Sequence, residues 1–196
     1  MRPPITIAVE GITDAVVLKR TVNEAGLTVV TEYIMRGKGK LDAKLKAYNA
    51  AAKFAHWLVL RDLNSDALCA PTLVANLLPA PAPSMRLHIA VRETEAWLLA
   101  DVDEIARFLS ISRDQIPSDP DGLSKPKASL IDLAMRSKSR AIRDAIVPVQ
   151  GMTARVGPGY SSVIAQFAGE KWRPRVAAKK SPSLGRLMRY LDGLVA

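Results

Sequence analysis

The stretch Ile5-Thr6-Ile7-Ala8-Val9-Glu10-Gly11-Ile12-Thr13-Asp14 (ITIAVEGITD) reads as a strand, a turn and the start of a helix. Ile5, Ile7 and Val9 are β-branched, Thr6 and Ala8 are small, and so short an apolar run bounded by turn residues suits a strand buried on both faces of a parallel sheet. Glu10 stands at its carboxyl end, where open α/β sheets bind their ligands. Taken alone it reads either as a solvated loop acid or as one carboxylate of a site, and the choice depends on whether other acids reach the same edge.

The chain repeats this pattern. Residues 13 to 25 place Ala15, Val16, Leu18, Val22 and Ala25 at helical spacing, with Gly26 as a stop. Leu27 to Ile34 is β-rich and leads into Arg36-Gly37-Lys38-Gly39-Lys40, expected as a flexible basic loop. Its glycines permit close approach to an anion, but the spacing is not that of a Walker A motif, and a solvated turn reads equally well. Leu41 to Ala55 is an amphipathic helix, His56 to Arg61 a third strand, Pro71 to Leu78 a short helix and Arg86 to Val91 a fourth strand. Alternating strands and helices imply right-handed crossovers and a parallel sheet. The carboxyl ends of the first, third and fourth strands carry Glu10, Asp62 with Asn64 and Asp66, and Glu93 with Glu95. They converge only if those strands are neighbours.

Beyond Asp101 the pattern turns to helices and loops. Val102 to Leu109 continues as a helix, residues 110 to 127 read as a long loop, Ala128 to Arg143 as one helix, Gly151 to Tyr160 as irregular, and Ser181 to Val195 as a well-started closing helix. The expectation is an α/β domain over residues 1–110 and a basic helical extension over 111–196 packed on it as one unit. Of 196 residues, 48% are hydrophobic and 24% charged, ordinary values for a globular protein. No uncharged apolar run approaches the roughly 18 residues of a membrane helix, and no secretory leader is expected from MRPPITIAVEG. The single Cys69 excludes an internal disulfide and a cysteine-based zinc site. A cytoplasmic setting and no membrane contact are expected. The net charge of +9 is unevenly placed, +1 over residues 1–110 and +8 over 111–196. Such a tail suits a polyanion such as DNA or RNA, or a basic surface that keeps the protein soluble.

Clustered carboxylates repel one another unless a cation joins them, and Mg2+ and Mn2+ prefer oxygen ligands. Bound ions polarise phosphoryl oxygens and acidify water, so acids of this kind point to phosphate chemistry. Lys38, Lys40, Arg61 and Arg92 lie at the same expected edge, either to neutralise phosphate charge or to pair with the acids in plain salt bridges. VEGITD, followed after a later strand by LRDLNSD, resembles the Toprim fold shared by topoisomerases, primases and OLD-type nucleases. IAVRETEAWLLAD, Pro126-Lys127, the GPGY segment and the closing SPSLGRLMRYLDGL extend the likeness to a bacterial Toprim-like family catalogued as a domain of unknown function (DUF 4276).

That resemblance implies a Toprim-like doubly wound sheet of about four parallel strands and a metal-dependent nuclease using Mg2+ or Mn2+. It makes Glu10, Asp62, Asn64, Glu93 and Glu95 the metal edge, with Glu10 as general acid/base, and Glu10, Asp62, Glu93 and Lys38 the catalytic set. Lys40, Arg92, Lys171, Arg173 and Arg175 are the expected contacts to nucleic acid. An ABC-type or AAA ATPase partner and a part in phage defence are implied too, and a homodimer is a further expectation. Asn64 departs from the family's Asp-x-Asp pattern, and the lost charge leaves open a non-catalytic binding or ATPase-associated subunit. Asp14 matches the VEGxxD position but also suits a helix's first turn, its expected role. His56 and His88 are expected to be structural, Trp57 and Trp97 to fill the core, and Trp172 to be a half-buried anchor or a base-stacking group. Ser161 and Ser162 have no evident base partner, which leaves serine nucleophilic catalysis unsupported.

Overall fold

The computed structural model describes residues 2–196. Its strands are β1 (Pro4–Val9), β2 (Thr28–Ile34), β3 (His56–Asp62) and β4 (Met85–Ala90). Among the described residues the helices are α1 (Ile12–Glu24), α2 (Lys38–Ala51), α3 (Ala70–Leu77), α4 (Thr94–Ala100), α5 (Val102–Leu109), α6 (Pro126–Met135), α7 (Arg140–Ile146), α8 (Tyr160–Glu170), α9 (Pro174–Ala177) and α10 (Pro182–Gly193). Among the described residues no helix is long and apolar enough to cross a membrane.

All four strands run parallel in the order β2-β1-β3-β4. Residues of β1 and β3 alternate between two buried layers, as the two-residue period of a strand requires. Ile5, Ile7, Val9, Leu58 and Leu60 pack with Val17, Leu18 and Val22 of α1 and with α4, α8 and α10. Ala8, Trp57, Val59, Leu87 and Ile89 pack with Leu41, Leu45 and Tyr48 of α2 and Leu73 of α3. Helices thus cover both faces, and this is the doubly wound α/β sheet expected. The first layer holds Ile5 and Ile7 together with Phe167, Leu184 and Leu187, so the helical tail completes the core of the sheet.

The strand order answers the question left open by the sequence. From β1 the chain winds to β2 on one side, then returns past β1 to β3 on the other, which makes the β1/β3 boundary the topological switch point. Parallel sheets of this kind open a crevice there, at the carboxyl ends of the two strands. Those ends carry Glu10 and Asp62.

Three local expectations are corrected. The basic loop is short, because Gly37 turns the chain at φ +128° and Lys38 to Lys40 already form the first turn of α2. The helix expected over residues 128–143 is two, since Ser139 caps α7 by accepting from the Ile142 N–H at 3.4 Å and so restarts the chain after α6. Trp172 is fully buried rather than half-buried, at 0% exposure, and donates its indole N–H to the carbonyl of Trp97 at 3.1 Å. A ring so enclosed is closed to base stacking. His88 is also buried, with Nε2 3.0 Å from the Ser183 carbonyl; burial, helped by Arg86, lowers its pKa to about 3, which keeps it neutral.

Candidate functional site

Parallel pairing brings the acids of β1 and β3 together. The Asp62 backbone N–H donates to Glu10 Oε1 at 3.3 Å. The chain after β4 then places Thr94 against both neighbouring strands. Its N–H donates to Asp62 Oδ1 at 3.1 Å and its hydroxyl to Asp14 Oδ1 at 2.7 Å. Asp14 also accepts the Gly11 N–H at 2.9 Å, so it performs the expected helix-start duty and belongs to the acid group as well. Glu95, one residue beyond Thr94, is 2% exposed; its Oε1 accepts from the Tyr160 hydroxyl at 2.8 Å and faces the Lys127 ammonium at 3.2 Å. Its Oε2 is buried and has no hydrogen-bond partner among the described residues.

Electrostatics here are unbalanced. Burial raises the pKa of Asp62 well above the usual carboxylate value, and the charges of Asp14, Glu95 and Glu10 raise it further, with Lys127 opposing. Burial also raises Asp14, Glu10 and Glu93. Burial alone would pull the Lys127 pKa down, but the charge and hydrogen bond of Glu95 outweigh it and hold the ammonium charged. Tyr160 is pushed up by burial and by Glu95, so its hydroxyl keeps its proton and donates.

Helix starts explain part of the crowding. Asp14 sits in the first turn of α1, Asp62 faces the first N–H of α4, and Glu93 Oε2 accepts the Lys127 N–H at 2.8 Å where α6 begins. Each carboxylate thereby meets the positive end of a helix dipole, worth roughly 0.3–1 kcal/mol at a terminus. That favourable term does not prevent the pKa of Asp62 from rising, so dipoles alone leave the group short of positive charge.

The expected cations divide. Arg61, 2% exposed, faces Glu10 Oε1 at 3.3 Å and Asp42 Oδ1 at 3.1 Å, and it also binds Asp66 and the Asp62 carbonyl. Lys38 pairs with Asp66 at 2.6 Å. Asp66, its pKa lowered by the hydrogen bond from Lys38 and then that from Arg61, stands among cations and outside the acid group. Lys40 is exposed on the first turn of α2. Asn64 adopts a left-handed backbone at φ +48°, which Asn tolerates better than most residues. Its N–H donates to the Arg92 carbonyl at 3.0 Å, and Arg92 donates back to its carbonyl at 2.8 Å.

Asn64, Arg92 and Glu93 line a cleft of about 830 Å³ beside the acids, together with Lys125, Lys127 and Arg155. Lys171, Arg173 and Arg175 are not brought to this edge. Arg173 binds Asp101 at the far end of α4, roughly 10 Å along its axis, and Arg175 pairs with Asp192 at 2.9 Å beside Glu24, at the far end of α1.

Among the described residues no group of three or more His, Cys, Asp or Glu side chains is arranged to hold a metal ion as placed. The donor set is nevertheless one that suits a hard cation. It consists of oxygens, it is short of positive charge, and a buried carboxylate oxygen of Glu95 lacks any partner. Asp14, Thr94 and Tyr160 were not among the site residues expected from sequence, and Lys127 was noted only for its family likeness. Asp14 and Thr94 lie within the VEGITD and ETEAWLLAD stretches, so proximity to an expected acid was their one local signal. Comparison with protein-family models, with curated proteins and with solved structures finds no match for this chain.

Proposed function

We propose that the chain is a metal-dependent phosphodiesterase acting on nucleic acid, with its chemistry at the β1/β3 crevice. The observation that carries the reading is the buried Oε2 of Glu95, without a partner among the described residues, beside Asp62, which burial and then the neighbouring carboxylates make resist ionisation. An unsatisfied buried carboxylate oxygen costs about 1–3 kcal/mol or more, and a divalent cation removes that cost for several acids at once. Glu10, Asp62 and Glu95 would hold Mg2+ or Mn2+, and the ion, when bound, supplies Lewis-acid polarisation of a phosphoryl oxygen and an acidified water. The remaining roles belong to the chain. Arg61 orients Glu10, Thr94 orients Asp62 and Asp14, and Tyr160 fixes one oxygen of Glu95 so that the other faces away from its donor. Glu10, half-buried, has its pKa raised by burial, the direction that suits a carboxylate to proton transfer.

The test is cleavage of plasmid, single strands and tRNA with Mn2+ by the wild type and by Glu10→Gln and Asp62→Asn. A loss of at least ~100-fold is expected in each variant. Undiminished cleavage in both overturns the reading.

A second reading is favoured by Arg61. Its guanidinium already faces Glu10, which also takes the Asp62 N–H, so that acid is engaged without a metal. This suits a non-catalytic nucleic-acid-binding or ATPase-associated subunit that keeps the fold. Calorimetric titration with Mn2+ separates the two: heat of binding supports the enzyme, and its absence at millimolar metal supports the binding module. The ATPase partner and the role in phage defence rest on the sequence resemblance alone and form part of the same proposal.

A further inference from the structure

We infer that the cleft beside the acidic edge seats the phosphate backbone of a polynucleotide, gripped by Arg92, Lys125 and Arg155. This deepens the phosphodiesterase reading and rests on it for the link to cleavage, but the binding itself is separately testable.

Charge decides the assignment. Four cations line the cleft, Arg92, Lys125, Lys127 and Arg155, against the single carboxylate of Glu93. Glu93 is turned to the Lys127 backbone N–H at 2.8 Å, and the Lys127 ammonium to Glu95 at 3.2 Å. Arg92 donates only to the neutral Asn64 carbonyl, while Lys125 and Arg155 are exposed and form no ion pair among the described residues. Elsewhere in the basic tail four arginines are matched, Arg113 to Asp103 at 2.9 Å, Arg140 to Asp144 at 3.4 Å, Arg173 to Asp101 at 2.6 Å and Arg175 to Asp192 at 2.9 Å, whereas Arg136, Arg143, Arg186 and Arg189 form no ion pair among the described residues and do not line this cleft. What distinguishes the cleft is that it gathers Arg92, Lys125 and Arg155, none of them in an ion pair among the described residues, on one concave surface next to the acid group, and concave walls of one sign focus the field on an incoming anion.

The ligand class follows from what lines the walls. Cations and hydroxyls suit phosphates, and no aromatic ring is among the lining residues to stack a base, so contact is with the backbone and carries little sequence preference. Position links the cleft to the chemistry. Lys127 lines it while pairing with Glu95, and Asn64 and Glu93 stand two residues beyond Asp62 and one before Thr94. A strand seated here passes a phosphate to the acid group.

The test is fluorescence anisotropy with a labelled single-stranded oligonucleotide in chelator, where metal-dependent cleavage is silent. Three proteins are compared: wild type, Lys125→Glu/Arg155→Glu, and Lys179→Glu/Lys180→Glu. The last makes the same change in net charge at exposed residues outside the cleft. The cleft variant is expected to bind ~10-fold or more weakly and to lower the slope of log affinity against log salt by roughly 1.4, with the control within about threefold. Equal weakening in both variants, or no binding by the wild type at low salt, overturns the seat. Displacement of the oligonucleotide by ATP at equal phosphate concentration also overturns it, in favour of a nucleotide site. Cleavage by the wild type in Mn2+ is scored separately. A seat that binds without cleavage sinks the enzyme reading alone, and cleavage with unaltered binding in the cleft variant sinks the seat alone.

Discussion

The two ends of α4 hold buried acids in opposite circumstances. At its carboxyl end Asp101, 0% exposed, receives the Arg173 backbone N–H at 3.0 Å, Nε at 3.0 Å and a terminal nitrogen at 2.6 Å, so both oxygens are satisfied by one residue. At the amino end Asp62, Asp14 and Glu95 gather around Thr94 with one ammonium among them, and a buried oxygen of Glu95 has no donor. Burial is common to both ends; compensation is not. The matched end is what a structural ion pair looks like, and against it the unmatched end reads as a place kept open for something else.

Breaking the matched end should cost most. Arg173→Ala leaves buried Asp101 without a cation and with only the backbone N–H of residue 173, and a loss of about 3–5 kcal/mol in unfolding free energy is expected by denaturant titration. A loss below 1 kcal/mol would mean that Asp101 is rescued by solvent, and the contrast between the two ends would weaken.

At the unmatched end the sign reverses. Because the folded-state pKa of Asp62 lies above its unfolded value, the native state binds more protons than the unfolded chain between those two pH values. Stability therefore falls as pH rises through that window, and the penalty is fully present above the folded pKa. Asp62→Asn should consequently stabilise the metal-free protein at neutral pH, by on the order of 1 kcal/mol or a rise of roughly 2–4 °C in Tm, and flatten this fall. Destabilisation by the same variant would show that the carboxylate is needed by the fold.

The smallest effect is expected between these extremes. Lys38→Ala removes a half-exposed pair with Asp66, which keeps Arg61, so the change in stability should stay under about 1 kcal/mol. A larger loss would mark Lys38 as part of the scaffold around Arg61.

Much of the fold was legible before the structure. Alternation of Ile5, Ile7 and Val9 with Thr6 and Ala8, the stop at Gly26 and the repeated strand–helix rhythm are local signals, because side-chain period and turn conformation depend on near neighbours. Glu10, Asp62, Glu93 and Glu95 were visible as acids just past strands for the same reason. Less legible was the break between α6 and α7, where a capping Ser139 interrupts an apolar rhythm that otherwise continues. The fate of the basic residues was not legible at all. Arg173 and Arg175 look in sequence like contacts to nucleic acid, yet their partners Asp101 and Asp192 lie 72 and 17 residues away.

What the order of residues encoded, then, is which segments become strands and which acids end them, since hydrophobic period and turn chemistry act over a few residues. Tertiary structure alone decided that β1 lies between β2 and β3, and so that Glu10 meets Asp62. It also brought Lys127 and Tyr160 to Glu95 from 32 and 65 residues away and left Lys125 and Arg155 without carboxylates. Strand order follows from which faces the helices must bury, and charge compensation follows from distances through space. Neither quantity is a property of neighbours along the chain.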